Sequence, residues 1–461
     1  MNFTNKKEFF KIMLLVIIGI IATYLVQHII TRVAGSLLQI ISVIFILLFS
    51  YFIYKKSTAS FRALEAGSVI TGTSLSSIWL FRIVENNFLD PQEWDFLCFF
   101  MHGHVAARGL NFYKPENYST VLETLILPYT PDNEFITETI NIGFLYFPPN
   151  IFNFLFLGYF DFNSAHLVWV VLNAVCLSLC IYLAWQLFLR ESGIVGFIFT
   201  LGLFLTLPGT HTAIGFEHNT FIFMLPMLLA WKYREKPYYG IWLAIGFCLK
   251  PMLVILFVYP LLRREWKPLL YSICSLVIIS LATVSVLGTE TFLTYFIDNP
   301  VSRGVPGTFY SEWINQSLLA TIIRLTNFDF VGSSPVFHPI FLITSGIISL
   351  SSFYFALKLK KKDSNLAFAL IVITTLLLYP GSIDSYSPLI IPLIGLIIYY
   401  TNSGDLDLRV TFPIILFVYL IMLVNPFISH LTVWLFLTFI ALFKTGIIYP
   451  GKISLIRFST N

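Results

Sequence analysis

Ser164-Ala-His-Leu-Val-Trp-Val-Val-Leu-Asn-Ala-Val-Cys-Leu-Ser-Leu-Cys-Ile-Tyr-Leu-Ala-Trp-Gln-Leu-Phe-Leu189 runs for 26 residues without one Asp, Glu, Lys or Arg. As a helix it would be about 39 Å long at 1.5 Å per residue, enough to cross a hydrocarbon core of about 30 Å. Further segments of this kind lie at 10–30, 36–54, 213–232, 268–288, 337–357, 410–425 and 428–446, with weaker ones at 65–84, 193–208, 364–380 and 386–400. Residues 238–262 are apolar but interrupted by Lys250-Pro251. Proline removes a helix donor and clashes with the preceding turn, so the spacing predicts two short helices meeting inside the membrane. The expected fold is therefore an all-α polytopic membrane protein of about 12 to 14 membrane segments.

Composition points the same way. The chain is 57% hydrophobic and only 11% charged, with a mean hydropathy of +0.82. Soluble domains carry about 25% charged residues, so water cannot cover this surface and lipid must. The first apolar stretch follows Lys6, Lys7 and Lys11. It is too long for a signal-peptide core and lacks a small-residue cleavage site, so it reads as a retained helix. With the N-terminus placed in the cytoplasm and sides alternating, 21 of the 28 Lys and Arg fall on inner segments, as the positive-inside rule requires. The five cysteines show no metal-ligand spacing; Cys176 and Cys180 read as packing residues of one helix.

Two outer segments, 85–163 and 289–336, exceed the length of ordinary connections and are rich in aromatics and proline. Within the first, residues 95–108 carry apolar residues at helical spacing and end at Gly109. They predict a short helix at the outer interface that starts at Asp95. No internal repeat, Walker motif or Gly-rich nucleotide loop is present, which argues against direct use of nucleotides, and no cofactor motif appears.

The chemistry-bearing motifs are Trp94-Asp95-Phe96, Ala106-Ala107-Arg108-Gly109-Leu110-Asn111-Phe112-Tyr113 and Phe144-Leu145-Tyr146-Phe147-Pro148-Pro149. After them come Gly215-Phe216-Glu217-His218-Asn219, Gly246-Phe247-Cys248-Leu249-Lys250-Pro251 with the basic run Pro260 to Lys267, and Asn315-Gln316-Ser317-Leu318 with Arg324. In this order, over residues 94–325, the set resembles glycosyltransferase family 87, the polyprenol-phosphate-sugar-dependent membrane enzymes of the GT-C superfamily. The sequence departs from that pattern twice. The family's Gln in the Gly215–Asn219 region is replaced around Glu217-His218. The late element appears only as Tyr379-Pro380-Gly381-Ser382-Ile383-Asp384-Ser385-Tyr386, without Trp or His, which would pass a histidine's role to Asp384 or Tyr386.

The resemblance implies a GT-C-type bundle that moves a hexose, mannose in the first place, from a polyprenyl-phosphate donor to a lipid, glycan or protein acceptor. Transfer would occur on the outer face of the cell membrane and invert the anomeric centre. Asp95 is the expected general base. Desolvation near the lipid interface raises a carboxylate's pKa and a helix dipole opposes the rise, and the same residue would also serve as an N-cap. Glu93 is the reserve. Lys250, an ionisable residue at membrane depth, and Arg324 are the expected donor-phosphate ligands; Arg303 reads as a loop charge. His102, His104, Tyr146, Glu217, His218, Asn219, Asn315, Gln316 and Asp384 are the expected pocket residues. His102 and His104 are two apart and do not share a helix face, so no metal site is expected. A second reading, a lipid-linked-sugar transporter or flippase, would call for matching helix breaks in two repeats; only the break at Lys250-Pro251 is evident.

Overall fold

The computed structural model describes residues 94–121, 144, 146–298, 315–326, 339–422 and 425–447. The segments expected at 10–30, 36–54 and 65–84, together with Glu93 and Arg303, lie outside the described residues. Among the described residues every regular element is helical, and one isolated antiparallel bridge joins Asn315 to Ile383. In chain order the helices are α1 (Trp94–Ala107), α2 (Phe162–Phe188), α3 (Gly193–Thr206), α4 (Pro208–Gly215), α5 (Thr220–Lys232), α6 (Tyr239–Leu249), α7 (Val258–Arg263) and α8 (Trp266–Leu287). They continue with α9 (Thr289–Ile297), α10 (Leu318–Thr326), α11 (Pro339–Leu359), α12 (Ser364–Leu378), α13 (Ile391–Asn402), α14 (Leu408–Met422) and α15 (Pro426–Lys444). Short 3₁₀ turns connect several of them, notably Pro148–Asn153, Leu155–Tyr159, Pro251–Phe257 and Asp384–Ile390.

Four of these helices, α2, α8, α11 and α15, are long and apolar enough to cross a membrane. Their outward faces carry large exposed apolar side chains, such as Ile278, Leu281, Ile343 and Leu350. Water-soluble monomers rarely expose contiguous apolar surface on this scale, so this is an all-α polytopic membrane protein. By contrast α12 is buried all round, from Leu366 to Leu377. A helix apolar on every side belongs inside a bundle, and α12 lies inside this one.

Two breaks shape the site. The apolar run over 213–232 is not one helix: α4 ends at Gly215, the chain turns through residues 216–219, and α5 begins at Thr220. The run over 238–262 divides as its proline requires, α6 ending at Leu249 and a 3₁₀ turn starting at Pro251. The carbonyls of Cys248 and Leu249, which lose helical partners at this break, accept instead from the Asn150 side-chain amide. Pro148 and Pro149 set up the turn that delivers Asn150 there.

The helix expected over 95–108 is present as α1, and Gly109 ends it with a left-handed φ of 72°. It lies backbone-to-backbone on the 155–159 turn. A Cβ at Gly103 would sit 2.3 Å from the Phe154 carbonyl oxygen, and one at Gly158 would sit 2.3 Å from the Gly103 oxygen. Only glycine on both sides allows this approach, and it sets the height at which Asp95 is presented.

Candidate functional site

Asp95 stands in the first turn of α1, and its backbone N–H donates to the Phe216 carbonyl at 3.2 Å. This bond joins α1 to the α4–α5 turn. The turn is built around Glu217, a non-glycine residue with a left-handed φ of 54°, a conformation that costs roughly 1–2 kcal/mol for an L-residue. The Trp169 indole holds it, donating to the Glu217 carbonyl at 2.8 Å. The Glu217 carboxylate is buried against His166 Nε2 at 2.5 Å.

His218 follows, buried, with Nδ1 2.8 Å from the Thr220 hydroxyl. That hydroxyl spends its single proton on the Ser385 carbonyl at 2.9 Å. The Nδ1–H must then be the donor to Thr220, which leaves the lone pair on Nε2. Nε2 faces Asp95 Oδ2 at 4.0 Å, beyond direct hydrogen-bond reach. Two acceptors thus flank one small space, an arrangement suited to a hydroxyl that has a proton to give.

Lys250 is buried at the helix break. Its ammonium lies 4.7 Å from the centre of the Tyr146 ring, 4.8 Å from Tyr386 and 5.9 Å from Phe223, and 3.4 Å from the Tyr146 hydroxyl. Three rings offset part of its lost hydration and leave N–H donors uncommitted. Among the described residues it forms no ion pair. Lys250 is nevertheless near enough to Asp95 for its charge to draw that carboxyl's pKa down. Desolvation by burial is the larger effect, and Glu217 and Asp384 add like charge, so Asp95 is pushed up to about 7. The side chain keeps 31% of its surface accessible, yet protein packed around it removes most of its hydration.

Asp384 opens the 3₁₀ turn that carries Tyr386. It accepts from the Thr212 hydroxyl at 3.1 Å, while Oδ1 has no hydrogen-bond partner among the described residues. Burial raises its pKa to about 6. The loop before it is fastened to the segment preceding α10. Asn315 pairs with Ile383 and donates its amide to the Pro380 carbonyl at 2.9 Å, and the Gln316 N–H donates to Ser382 at 2.6 Å. Arg324 donates to the Asn315 carbonyl at 2.8 Å and so reaches the site through this loop. Asn219 is buried beside His218, and neither end of its side-chain amide has a partner among the described residues.

The structure thus brings Asp95, Tyr146, Glu217, His218, Lys250 and Asp384 to one place, with Asn219 beside them and Asn315, Gln316 and Arg324 as the frame of the adjoining loop. His102 and His104 sit on packing contacts. His102 Nδ1 is 2.8 Å from the Tyr118 hydroxyl, among Phe144 and Phe154, and His104 is 3.2 Å from the Phe160 carbonyl with its ring edge-on to Phe100. Two residues of the site, His166 and Asn150, escape sequence reasoning. His166 reads as one more residue of an apolar span. Asn150 follows the Pro-Pro pair, and only that position hints at a role.

No curated protein and no solved structure matches the chain. A family model does match, over residues 144–380, just over half of the 461 residues. That stretch contains Tyr146, the α4–α5 turn, the Lys250 break and Arg324, so the chain belongs to glycosyltransferase family 87 and is a membrane glycosyltransferase.

Proposed function

We propose that the protein transfers a hexose, mannose in the first place, from a polyprenyl-phosphate donor to a lipid, glycan or protein acceptor on the extracytoplasmic face of the cell membrane, with inversion. The observation that carries this reading is the pairing, in one buried place, of a carboxylate with raised proton affinity and an ammonium held by aromatic rings without a carboxylate of its own.

The acceptor hydroxyl enters between Asp95 Oδ2 and His218 Nε2. Its oxygen attacks the anomeric carbon from the face opposite the phosphate, and its proton passes to Asp95. The bond from the anomeric carbon to the phosphate oxygen breaks, and the electron pair leaves with the phosphate. Lys250 receives that anion, as a preorganised cation stabilises developing charge. One carboxylate suffices because a single displacement forms no covalent enzyme intermediate. A lipid-linked donor also accounts for a site at membrane depth and for the absence of a nucleotide motif in the sequence.

Orientation follows from charge. The site lies at the Leu249 end of α6, and the other end of that helix, at Tyr239, adjoins Glu265 and Arg263. Lys232, Arg234, Lys236, Arg263, Arg264, Lys267, Lys358 and Lys360 to Lys362 gather around that far end. Basic residues mark the cytoplasmic side, which supports a site on the opposite one.

Membranes containing the protein, given a polyprenyl phosphate carrying labelled sugar, should form a labelled product that D95N membranes do not form at equal expression. Undiminished transfer by D95N would remove Asp95 from its role. Movement of lipid-linked sugar across liposomes without any transfer product would replace the enzyme with a flippase.

A further inference from the structure

Asparagine is a preferred N-cap because its side-chain oxygen accepts from an N–H of the first helical turn. Asn219 stands at the N-cap of α5 but is not used in that way: its side chain makes no capping bond. The start of the helix is closed by backbone alone, the Asn219 carbonyl accepting from the Ile222 and Phe223 N–H groups at 3.1 and 3.3 Å. The residue is 1% exposed, and among the described residues neither Oδ1 nor Nδ2 has a hydrogen-bond partner. A primary amide buried and unpaired at both ends is unfavourable for the fold.

Two neighbours fix where this amide lies. On one side His218 brings Nε2 to 4.0 Å from Asp95 Oδ2. On the other, the Thr220 hydroxyl donates to the Ser385 carbonyl at 2.9 Å and ties the start of α5 to the 384–390 turn. A second tie joins that turn to α4, from the Thr212 hydroxyl to Asp384 Oδ2 at 3.1 Å. The turn itself carries two more buried polar atoms without a hydrogen-bond partner among the described residues, Asp384 Oδ1 and Ser385 Oγ. Its next residue, Tyr386, holds its ring 5.1 Å from that of His218 and 4.8 Å from the Lys250 ammonium. The two stitched segments therefore reach Asp95 through His218 and Lys250 through Tyr386.

The chemistry of the three groups selects their ligand. A primary amide offers an acceptor and two donors, a carboxylate accepts, and a hydroxyl does both. The one ionisable group among them is acidic, which disfavours a phosphate, and an apolar lipid chain would leave all three unpaired. Adjacent hydroxyls of a sugar ring give and accept hydrogen bonds together. The transferred sugar is also the part of the donor that must lie between Asp95 and Lys250, since its anomeric carbon is attacked from one side and releases phosphate on the other. We infer that Asn219, with Asp384 Oδ1 and the Ser385 hydroxyl, forms a subsite that binds hydroxyls of the transferred sugar and so selects which hexose is moved. The inference rests on the lipid-linked sugar donor of the proposed reaction.

The test measures equilibrium binding of radiolabelled polyprenyl-phosphate mannose to the full-length protein in detergent, beside analogues that each lack one sugar hydroxyl. All are phosphodiesters of equal charge, so Lys250 meets the same anion throughout. The unaltered protein should bind at least one deoxy analogue about ten- to hundredfold more weakly than the complete donor, because that analogue leaves a buried group unpaired. N219A should weaken binding of the complete donor by a similar factor and bind that analogue and the complete donor alike. S385A should likewise cease to discriminate against at least one analogue. If N219A fails to accumulate, S385A decides, because the hydroxyl it removes has no hydrogen-bond partner among the described residues. An unaltered protein indifferent to every deoxy analogue overturns the inference, as do variants that discriminate as the unaltered protein does. An effect of N219A confined to the acceptor KM, with donor binding unchanged, overturns it too. Discrimination that is present, and lost in the variants, in a protein that transfers no sugar would leave the subsite standing and sink the catalytic reading instead.

Discussion

Asp95 and Lys250 lie near enough for their charges to act on each other, and each makes a separate prediction. A base works as the carboxylate. With its pKa near 7 rather than near 4, the active form is lost as the pH falls below about 7, so kcat/KM should drop tenfold per unit on that limb. The drop should be absent from any residual activity of D95N. Removing a general base typically costs 10²- to 10⁴-fold, and D95N should lose at least that much in kcat with the KM for donor little changed. Lys250 acts on the leaving phosphate, so K250A should lose about 10²- to 10³-fold, and a donor analogue with a better leaving group should recover part of the loss. D95N should not respond to that analogue. Asp95 was legible in the sequence because a short helix, a glycine stop and an ordered set of motifs converge on it. Lys250 was legible because a lysine beside a proline inside an apolar run has few structural uses. Asn150 and His166 were not legible, since their roles are contacts made 98 and 51 residues away.

Helix breaks and close packing hold these groups in register. Asn150 supplies its amide to two carbonyls at the α6 break, and the same turn positions Tyr146 over Lys250. N150A should therefore raise the donor KM and lower kcat/KM roughly fivefold, in line with about 1 kcal/mol for a net hydrogen bond. N150D should do worse, because a carboxylate would face carbonyl oxygens. An equal loss in the acceptor KM would argue for general disorder instead. On the other side of the site, α1 depends on the Gly103–Gly158 contact. G103A forces the backbones apart and should lower the thermal unfolding temperature in detergent, as overpacking costs typically 1–3 kcal/mol. It should also reduce transfer, because Asp95 moves with the helix. Pro251 announced the division of the 238–262 run, and the spacing of apolar residues announced α1. It did not announce the turn at 216–219, where the chain stays apolar on both sides and only the packing of Trp169 and α1 selects the break.

Across the whole molecule, charge separates two ends. At one end Arg263 forms a bidentate pair with Glu235 at 2.9 and 2.7 Å and meets Glu265 at 2.6 Å, while Lys444 pairs with Asp363 at 2.7 Å. At the other end lie Asp95, Lys250 and the 379–386 loop. A single cysteine at the exposed Glu116 should react with an impermeant thiol reagent in intact cells, and one at Lys361 should react only after the membrane is opened. The reverse pattern would turn the molecule over. The sequence by itself determined that the chain lives in a membrane, that four of the apolar segments are long enough to cross it, and that the helix breaks at Lys250-Pro251. Those properties follow from composition and from the near-period of a helix, and both are local. Only the tertiary structure decided that His218 faces Asp95, that three rings surround Lys250, and that Asn150 closes a helix break. Such contacts join residues far apart in the chain, and no spacing along it records which partner a buried polar group will meet.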